Sequence, residues 1–186
     1  MKRLRAWLKD TYGDLRGLNK AWDTKFEAWK DVAPLTSQEM FERREAGNFN
    51  FAPWADHRTF QNDSFLNVLL HGMSIIKEYP PDAVVGICGT QCPTVFGGYD
   101  FAKLTANHEM NQTYISHFLQ GELYQSFKRD DAFTGKWSNS LADVEEGWHA
   151  FPWACLLAGD NSAWWWTSWG CDYIPFSPDL SQSNYG

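Results

Sequence analysis

Tryptophans are crowded into the segment 164–169, which reads Trp-Trp-Trp-Thr-Ser-Trp. A Gly-Asp-Asn turn at 159–161 precedes it, so this short aromatic segment is predicted to be a β-strand. Side chains alternate along a strand, and each side of this one carries two tryptophans. One set is expected to pack in a core. The other set either completes that packing or presents flat indole rings on which the apolar face of a sugar ring can stack.

The tryptophans nearest the carboxyl end of this strand are the candidates for sugar binding. In a barrel of parallel strands, a ligand approaches from that end. We therefore predict Trp166 and Trp169 as substrate-binding residues, together with Trp137 at the end of the preceding strand. Trp164 and Trp165 are predicted to fill the core.

Two further segments supply polar and aromatic candidates for substrate binding. Residues 23–61 mix aromatics and prolines with polar residues and are predicted to form a long loop. Asp56 and His57 beside Trp54 are its most polar point, and they either touch substrate or fix the loop by a hydrogen bond. Tyr99, which follows a Gly-Gly pair, is the other substrate-binding candidate.

The composition argues against several other kinds of chemistry. A formal net charge of -7 and a pI near 5.1 disfavour a nucleic-acid surface, which needs clustered Lys and Arg. The 5 histidines lack the paired spacing of a metal site, the 4 cysteines are too far apart for a zinc ribbon, and no nucleophile motif supports acyl transfer. We therefore expect no metal and no cofactor.

The sequence also carries no visible targeting or membrane segment. The apolar runs are too short to span a bilayer, and the first five residues lead into an amphipathic helix rather than the apolar core of a signal peptide. We therefore expect no membrane contact, and the cellular compartment stays undecided.

The elements expected to position these residues begin with helices. Apolar residues at helical spacing predict a helical hairpin over 2–22, broken at Gly13-Asp14. Asp63 is predicted to cap a second helix, whose apolar stripe continues to Tyr79 and is ended by Pro80-Pro81.

Strand and helix signals then alternate as far as the predicted strand at 164–169, here called the Trp strand. Predicted strands lie at 83–88, 110–115, 132–137 and 164–169, and predicted helices lie between them at 99–107, 121–129 and 140–159. This alternation fits an open doubly wound sheet or part of a closed eight-stranded α/β barrel. The lack of a glycine-rich phosphate loop favours the barrel. We expect one α/β domain over residues 1–186, with its chemistry at the strand ends 89–91, 114–117, 136–139 and 167–169.

Several motifs resemble segments of the β-galactosidases of glycoside hydrolase family 42. Trp7-Leu8-Lys9 before Tyr12-Gly13, and Leu18-Asn19 before Ala21-Trp22, are similar to the segment that follows the fourth barrel strand in that family. The segments 51–58, 89–91 and 97–100 and the closing Leu-Leu-x-Gly with three tryptophans are similar to parts of large family-42-like bacterial hydrolases. The resemblance spans residues 7–169. It implies a partial (β/α)8 TIM barrel, made of the helix after strand 4 and then strands 5–8.

The resemblance implies an activity as well as a fold. It indicates part of a glycoside hydrolase that cleaves O-glycosyl bonds of β-galactosides or related glycans, with a carbohydrate substrate. A homo-oligomer is one expectation for the full-length protein. The alternative is a non-catalytic barrel relative that binds carbohydrate.

The resemblance finally implies two catalytic glutamates, and neither has an obvious counterpart. The acid/base belongs to an Asn-Glu pair at the end of strand 4, ahead of Met1. The nucleophile ends strand 7, where this chain reads Thr-Gly-Lys-Trp-Ser-Asn at 134–139. We therefore expect the chain to be part of a longer protein and inactive alone. The remaining catalytic candidates are Asp143, Glu145 and its neighbour Glu146, and Glu122, which is alternatively a solvated helix-start acid.

Overall fold

The structure is a computed structural model that describes residues 1–90, 100–114, 118–138, 145–165 and 181. The chain divides into two compact units, Met1–Val68 and Leu69–Gly186, and each is described by itself. Whether the two units behave as the single domain expected from the sequence stays a prediction.

The first unit opens with the expected helical hairpin. Helix α1 (Lys2–Tyr12) ends at Gly13, whose φ of 73° lies in the left-handed region that glycine adopts without strain. Helix α2 (Leu15–Trp22) begins after Asp14, whose carboxylate accepts a hydrogen bond from the backbone N–H of Gly17 at 2.7 Å. The prediction of two helices with a break at Gly13-Asp14 is confirmed.

The predicted loop over 23–61 is wrong, because most of it is helical. A 3-10 turn (Trp29–Asp31) is followed by helix α3 (Ser37–Glu45) and by the start of helix α4 (Ala52–Ile76). Thr36 and Glu39 form a capping box at the start of α3. Asn50 accepts a hydrogen bond from the Ala52 N–H at 3.1 Å, and Pro53 occupies the first turn of α4. The prediction of a loop gave more weight to the aromatic and glycine residues of the segment than to these helix-start signals.

Helix α4 also begins earlier than predicted. Asp63 lies well inside it rather than at its start, and the helix ends at Ile76, before Pro80-Pro81. The start of this helix was therefore predicted at Asp63, whereas the helix begins at Ala52.

The core of the first unit joins the hairpin to the segment before α3. Its buried residues are all apolar, namely Leu4, Leu8, Leu18, Trp22 and Val32. One carboxylate, that of Asp56, orients two aromatic side chains at this core. The Asp56 Oδ2 atom accepts hydrogen bonds from the Tyr12 hydroxyl at 2.5 Å and from the Trp22 indole N–H at 2.6 Å. Asp56 thereby ties α4 to both helices of the hairpin, which supports its interpretation as a residue that fixes the local structure.

Replacing Asp56 is expected to destabilise the first unit. The Asp56→Ala variant leaves the Tyr12 hydroxyl and the buried Trp22 N–H without their acceptor, and should lower the free energy of unfolding by about 2–4 kcal/mol. Urea unfolding followed by circular dichroism measures the loss. The matched control is Asp10→Ala on the exposed side of α1, which should change stability by less than about 0.5 kcal/mol. Equal effects of the two substitutions would contradict this role of Asp56.

The Tyr12 hydroxyl gives a pH dependence to the same contact. Burial and the neighbouring Asp56 carboxylate raise the pKa of Tyr12 from 10.0 to about 12. Because the folded protein favours the protonated hydroxyl, its contribution to stability is present below pH 10 and is lost between pH 10 and 12. Unfolding curves across this range should therefore show a larger loss of stability for the parent protein than for Tyr12→Phe. Parallel losses would refute the assignment.

The second unit carries the predicted βα alternation. Its elements are β1 (Gly86–Thr90), α5 (Phe101–Asn107), β2 (Met110–Tyr114), α6 (Phe118–Phe127), β3 (Phe133–Ser138), α7 (Glu145–Leu157) and β4 (Ser162–Trp165). The four strands are parallel, and their order in the sheet is β1-β2-β3-β4. The element types and order were predicted, while individual boundaries differ by a few residues.

A charged cluster holds the amino ends of the strands together. The Glu109 carboxylate pairs with Lys77 and accepts a hydrogen bond from the backbone N–H of Val85 at 3.0 Å. The guanidinium of Arg129, just before β3, lies 4.0 Å from the Glu109 carboxylate. Glu109 has a lowered pKa, first because of the Lys77 hydrogen bond and then because of the Val85 N–H. Since barrel chemistry occurs at the opposite ends of the strands, this cluster is structural.

Candidate functional site

The two faces of the sheet have different surroundings. Thr134 and Lys136 point to the helices: the Gln125 side chain of α6 donates to the Thr134 hydroxyl at 2.6 Å, and the Lys136 side chain passes Gly121 of α6. In-register neighbours in a parallel sheet share a face. The other face therefore carries the set that we call the Trp face, which consists of Gln112, Gly135, Trp137, Ser162 and Trp164.

Two tryptophans stand side by side on the Trp face. Trp137 and Trp164 are register partners on β3 and β4. Trp137 is 8% exposed, whereas Trp164 is 46% exposed. Trp164, which was predicted to fill the core, is thus exposed in the described part of the structure, where β4 is the last strand of the sheet and has a neighbour on one side only. An indole ring with this exposure can stack on a sugar ring.

Lys136, at the predicted strand end, is turned away from the Trp face. It forms a buried ion pair with Asp160, in the turn between α7 and β4, and the two side chains are 7% and 2% exposed. A Cβ atom added to Gly121 would lie 3.2 Å from the Lys136 Nζ atom, so glycine leaves room for the lysine. Lys136 is thus engaged between sheet and helices and does not contact a ligand on the Trp face.

The turn that contains Asp160 is bound to β3 by further hydrogen bonds. Asn161 accepts one from the Thr134 N–H at 2.8 Å and donates its own N–H to the Thr134 carbonyl at 3.1 Å. The Ser162 hydroxyl donates to the same carbonyl at 2.9 Å. The sequence showed these residues only as a turn, because their partners lie more than twenty residues earlier in the chain.

Trp54 and His57 lie one turn apart on α4, in the first unit. The Trp54 indole N–H donates to the Ser37 hydroxyl at 3.2 Å, and the Arg58 guanidinium lies 5.9 Å from the Trp54 ring centroid. Burial, and then the charge of Arg58, lowers the pKa of His57. Trp54 thus has a local packing role, and substrate binding by either residue stays a prediction.

Comparison with known proteins decides the family. The model of glycoside hydrolase family 42, described as beta-galactosidase, matches residues 1–144, which is more than half of the chain. The chain belongs to glycoside hydrolase family 42.

Curated relatives of this family-42 chain match it over shorter stretches. Beta-galactosidase BgaP of Planococcus sp. (strain L4) is 33% identical over 84 residues, covering 42% of this chain and 12% of the relative. Beta-galactosidase LacZ of Heyndrickxia coagulans is 28% identical over 109 residues, covering 55% and 15%. The chain therefore matches a small part of the length of each of these proteins.

A solved structure confirms the fold. The catalytic domain of beta-amylase from Paenibacillus polymyxa is similar with a TM-score of 0.64 at 15% identity, covering 99% of this chain and 51% of that one. The prediction of a partial (β/α)8 barrel is confirmed by this likeness and by the parallel sheet. Among the described residues, no helix has both the length and the apolar character needed to cross a membrane.

Among the carboxylates proposed for this family-42 chain, Glu122 is the one whose side chain lies in the described part of the structure. Glu122 is exposed on α6, beside Gly121 and Tyr124, which are buried. Because α6 covers the helix side of the sheet, this placement favours a solvated acid over a sugar contact. Glu145 is the first residue of α7, but the position of its side chain lies outside the described part of the structure. The predicted residues Tyr99, Asp143, Trp166 and Trp169 also lie outside the described residues.

The close approach of β3 and β4 on the Trp face can be tested at a glycine. A Cβ atom at Gly135 would lie 2.1 Å from the Ser162 hydroxyl oxygen and 2.6 Å from its carbonyl oxygen. Gly135→Ala should therefore force the strands apart and cost about 1–3 kcal/mol of stability or more. Gly72→Ala in α4 is the control, because its Cβ atom meets nothing within 4 Å and should add about 0.5–1 kcal/mol. Thermal unfolding of both variants checks the prediction, which fails if Gly135→Ala is neutral.

Proposed function

We propose that this chain forms part of the catalytic barrel of a β-galactosidase, which hydrolyses O-glycosyl bonds of β-galactosides or related glycans. The family match over residues 1–144 carries the proposal. The curated relatives, each named a beta-galactosidase, support the same substrate class.

The Trp face suits a neutral sugar. Trp137 and Trp164 offer planar rings, and Gln112 and Ser162 add amide and hydroxyl groups to the same face. Sugar hydroxyls need paired donors and acceptors as well as apolar planes for stacking. Trp166, two residues after Trp164, is proposed to extend this surface, and Trp169 is proposed to contact the sugar because it lies nearest the carboxyl end of the aromatic segment.

The geometry of β3 limits where the nucleophile can lie. Gly135 and Trp137 are the residues of this strand on the Trp face, and no residue of β3 carries a carboxylate. We therefore place the nucleophile in the segment after Ser138, where Asp143 and then Glu145 follow. A retaining mechanism requires its carboxyl group to lie about 5–5.5 Å from that of an acid/base. The resemblance places the acid/base ahead of residue 7.

Activity measurements on the protein from the complete reading frame test this proposal. The protein should hydrolyse an aryl β-galactoside, and one variant among Asp143→Asn, Glu145→Gln and Glu146→Gln should lower kcat by about 10²-fold or more. Asp130→Asn, an exposed carboxylate on the turn before β3, is the control and should retain activity. A protein that binds galactosides without any turnover would instead be a non-catalytic carbohydrate-binding relative.

Binding measurements test the aromatic surface separately. Trp164→Ala, Trp166→Ala and Trp169→Ala should each weaken galactoside binding by about 1–3 kcal/mol, by analogy with base stacking on aromatic side chains. Trp165→Ala is the comparison, because alternation along a strand predicts that position 165 has the opposite face from positions 164 and 166. Isothermal titration of folded variants gives the values. An equal loss for Trp165→Ala would show that the wrong face has been assigned to the sugar.

A further inference from the structure

The Trp strand cannot define its own alignment through hydrophobic pattern. In most strands, a shift by one residue exchanges apolar and polar side chains, and this penalty fixes the register. Here the three residues 164–166 are identical tryptophans. A shift of β4 by one residue in one direction would place Trp165 beside Trp137, whereas a shift in the other direction would place Ala163 there. Apolar burial therefore discriminates weakly between the observed alignment and the first of these shifts.

Polar groups in the preceding turn supply the missing discrimination. Asp160 pairs with Lys136, while Asn161 and Ser162 bind both backbone groups of Thr134. These four side chains, Lys136, Asp160, Asn161 and Ser162, are here called the register clamp. Asp160 pairs with Lys136 of β3, and Asn161 and Ser162 bind Thr134 of β3. A β4 shifted by one residue would therefore lose all of these contacts at once.

The energetics of the ion pair agree with a role in alignment. Both charges are almost fully buried, with side-chain exposures of 7% and 2%. Replacing such a pair by apolar residues is often neutral or stabilising, whereas removing one partner leaves an uncompensated charge. A buried pair is therefore weak as a source of stability, but it strongly penalises a structure in which the two charges are separated.

We propose that the register clamp positions the sugar-binding tryptophans. Lys136 and Asp160 are positioning residues: they hold β4 so that Trp164, rather than Trp165, lies beside Trp137 on the Trp face. The alignment itself follows from contacts within the second unit. Its consequence for sugar binding rests on the proposed function.

Cysteine cross-linking measures the alignment without any sugar. In the complete protein with Cys88, Cys92, Cys155 and Cys171 replaced by alanine, oxidation should join the pair Trp137→Cys/Trp164→Cys. It should not join Trp137→Cys/Trp165→Cys, because Trp164 is the register partner of Trp137. Adding Lys136→Met/Asp160→Leu should allow the second pair to form as well. Continued formation of the first pair alone would overturn the proposal.

Stability and binding then separate alignment from a merely structural role. Lys136→Met and Asp160→Asn alone should lower the melting temperature, and Lys136→Met/Asp160→Leu should recover most of the loss. The recovered double variant should still bind a non-hydrolysable β-thiogalactoside roughly fivefold more weakly or worse, as when one stacking ring is displaced. The milder variant Asn161→Ala should show the same effect to a smaller degree. Recovery of both stability and affinity would show that the pair is only structural.

A matched control uses an exposed ion pair near the same strand. Arg129 and Asp131 are paired at 2.7 Å, with side-chain exposures of 39% and 65%. Arg129→Gln/Asp131→Asn should leave the cross-linking pattern and the affinity unchanged. If the parent protein binds no galactoside while the double variant still cross-links out of register, the proposed function fails and the role of the register clamp stands.

Discussion

The buried ion pair between Lys136 and Asp160 is the interaction on which the arrangement of β3 and β4 depends. It joins the middle of one strand to the turn that begins the next, across the helix-covered side of the sheet. The Trp face on the other side carries the indole rings of Trp137 and Trp164. We infer that the position of these indole rings is determined by the two charges on the opposite side of the sheet.

The first unit uses the same physical principle with a different pair of partners. Asp56 accepts hydrogen bonds from Tyr12 and Trp22, so that a single carboxylate orients two aromatic rings of the hairpin. Hydrophobic contact is non-directional, and large flat rings can fill similar volumes in several ways. In a chain with 11 tryptophans, buried acceptors and ion pairs supply the orientation that burial alone leaves open.

Local signals made much of the fold predictable. The Gly13-Asp14 break and the alternation of short strands with helices depend on neighbouring residues, and both were found from the sequence. The prediction of a loop over 23–61 was wrong because the aromatic content of the segment was given more weight than the capping box of Thr36 and Glu39. The Lys136–Asp160 pair could not be predicted, because 24 residues separate its members and each has ordinary local surroundings.

The unequal exposure of Trp137 and Trp164 divides their roles. Trp137 is 8% exposed, so truncating it removes packing as well as any contact with a ligand. Trp164 is 46% exposed and offers a ring face without leaving its neighbours. Under the proposed function, a sugar that stacks on this surface gains most from Trp164, while Trp137 supports the strand that presents it. Loss of affinity on changing Trp137 would thus include a loss of structure, whereas the effect at Trp164 reports stacking more directly.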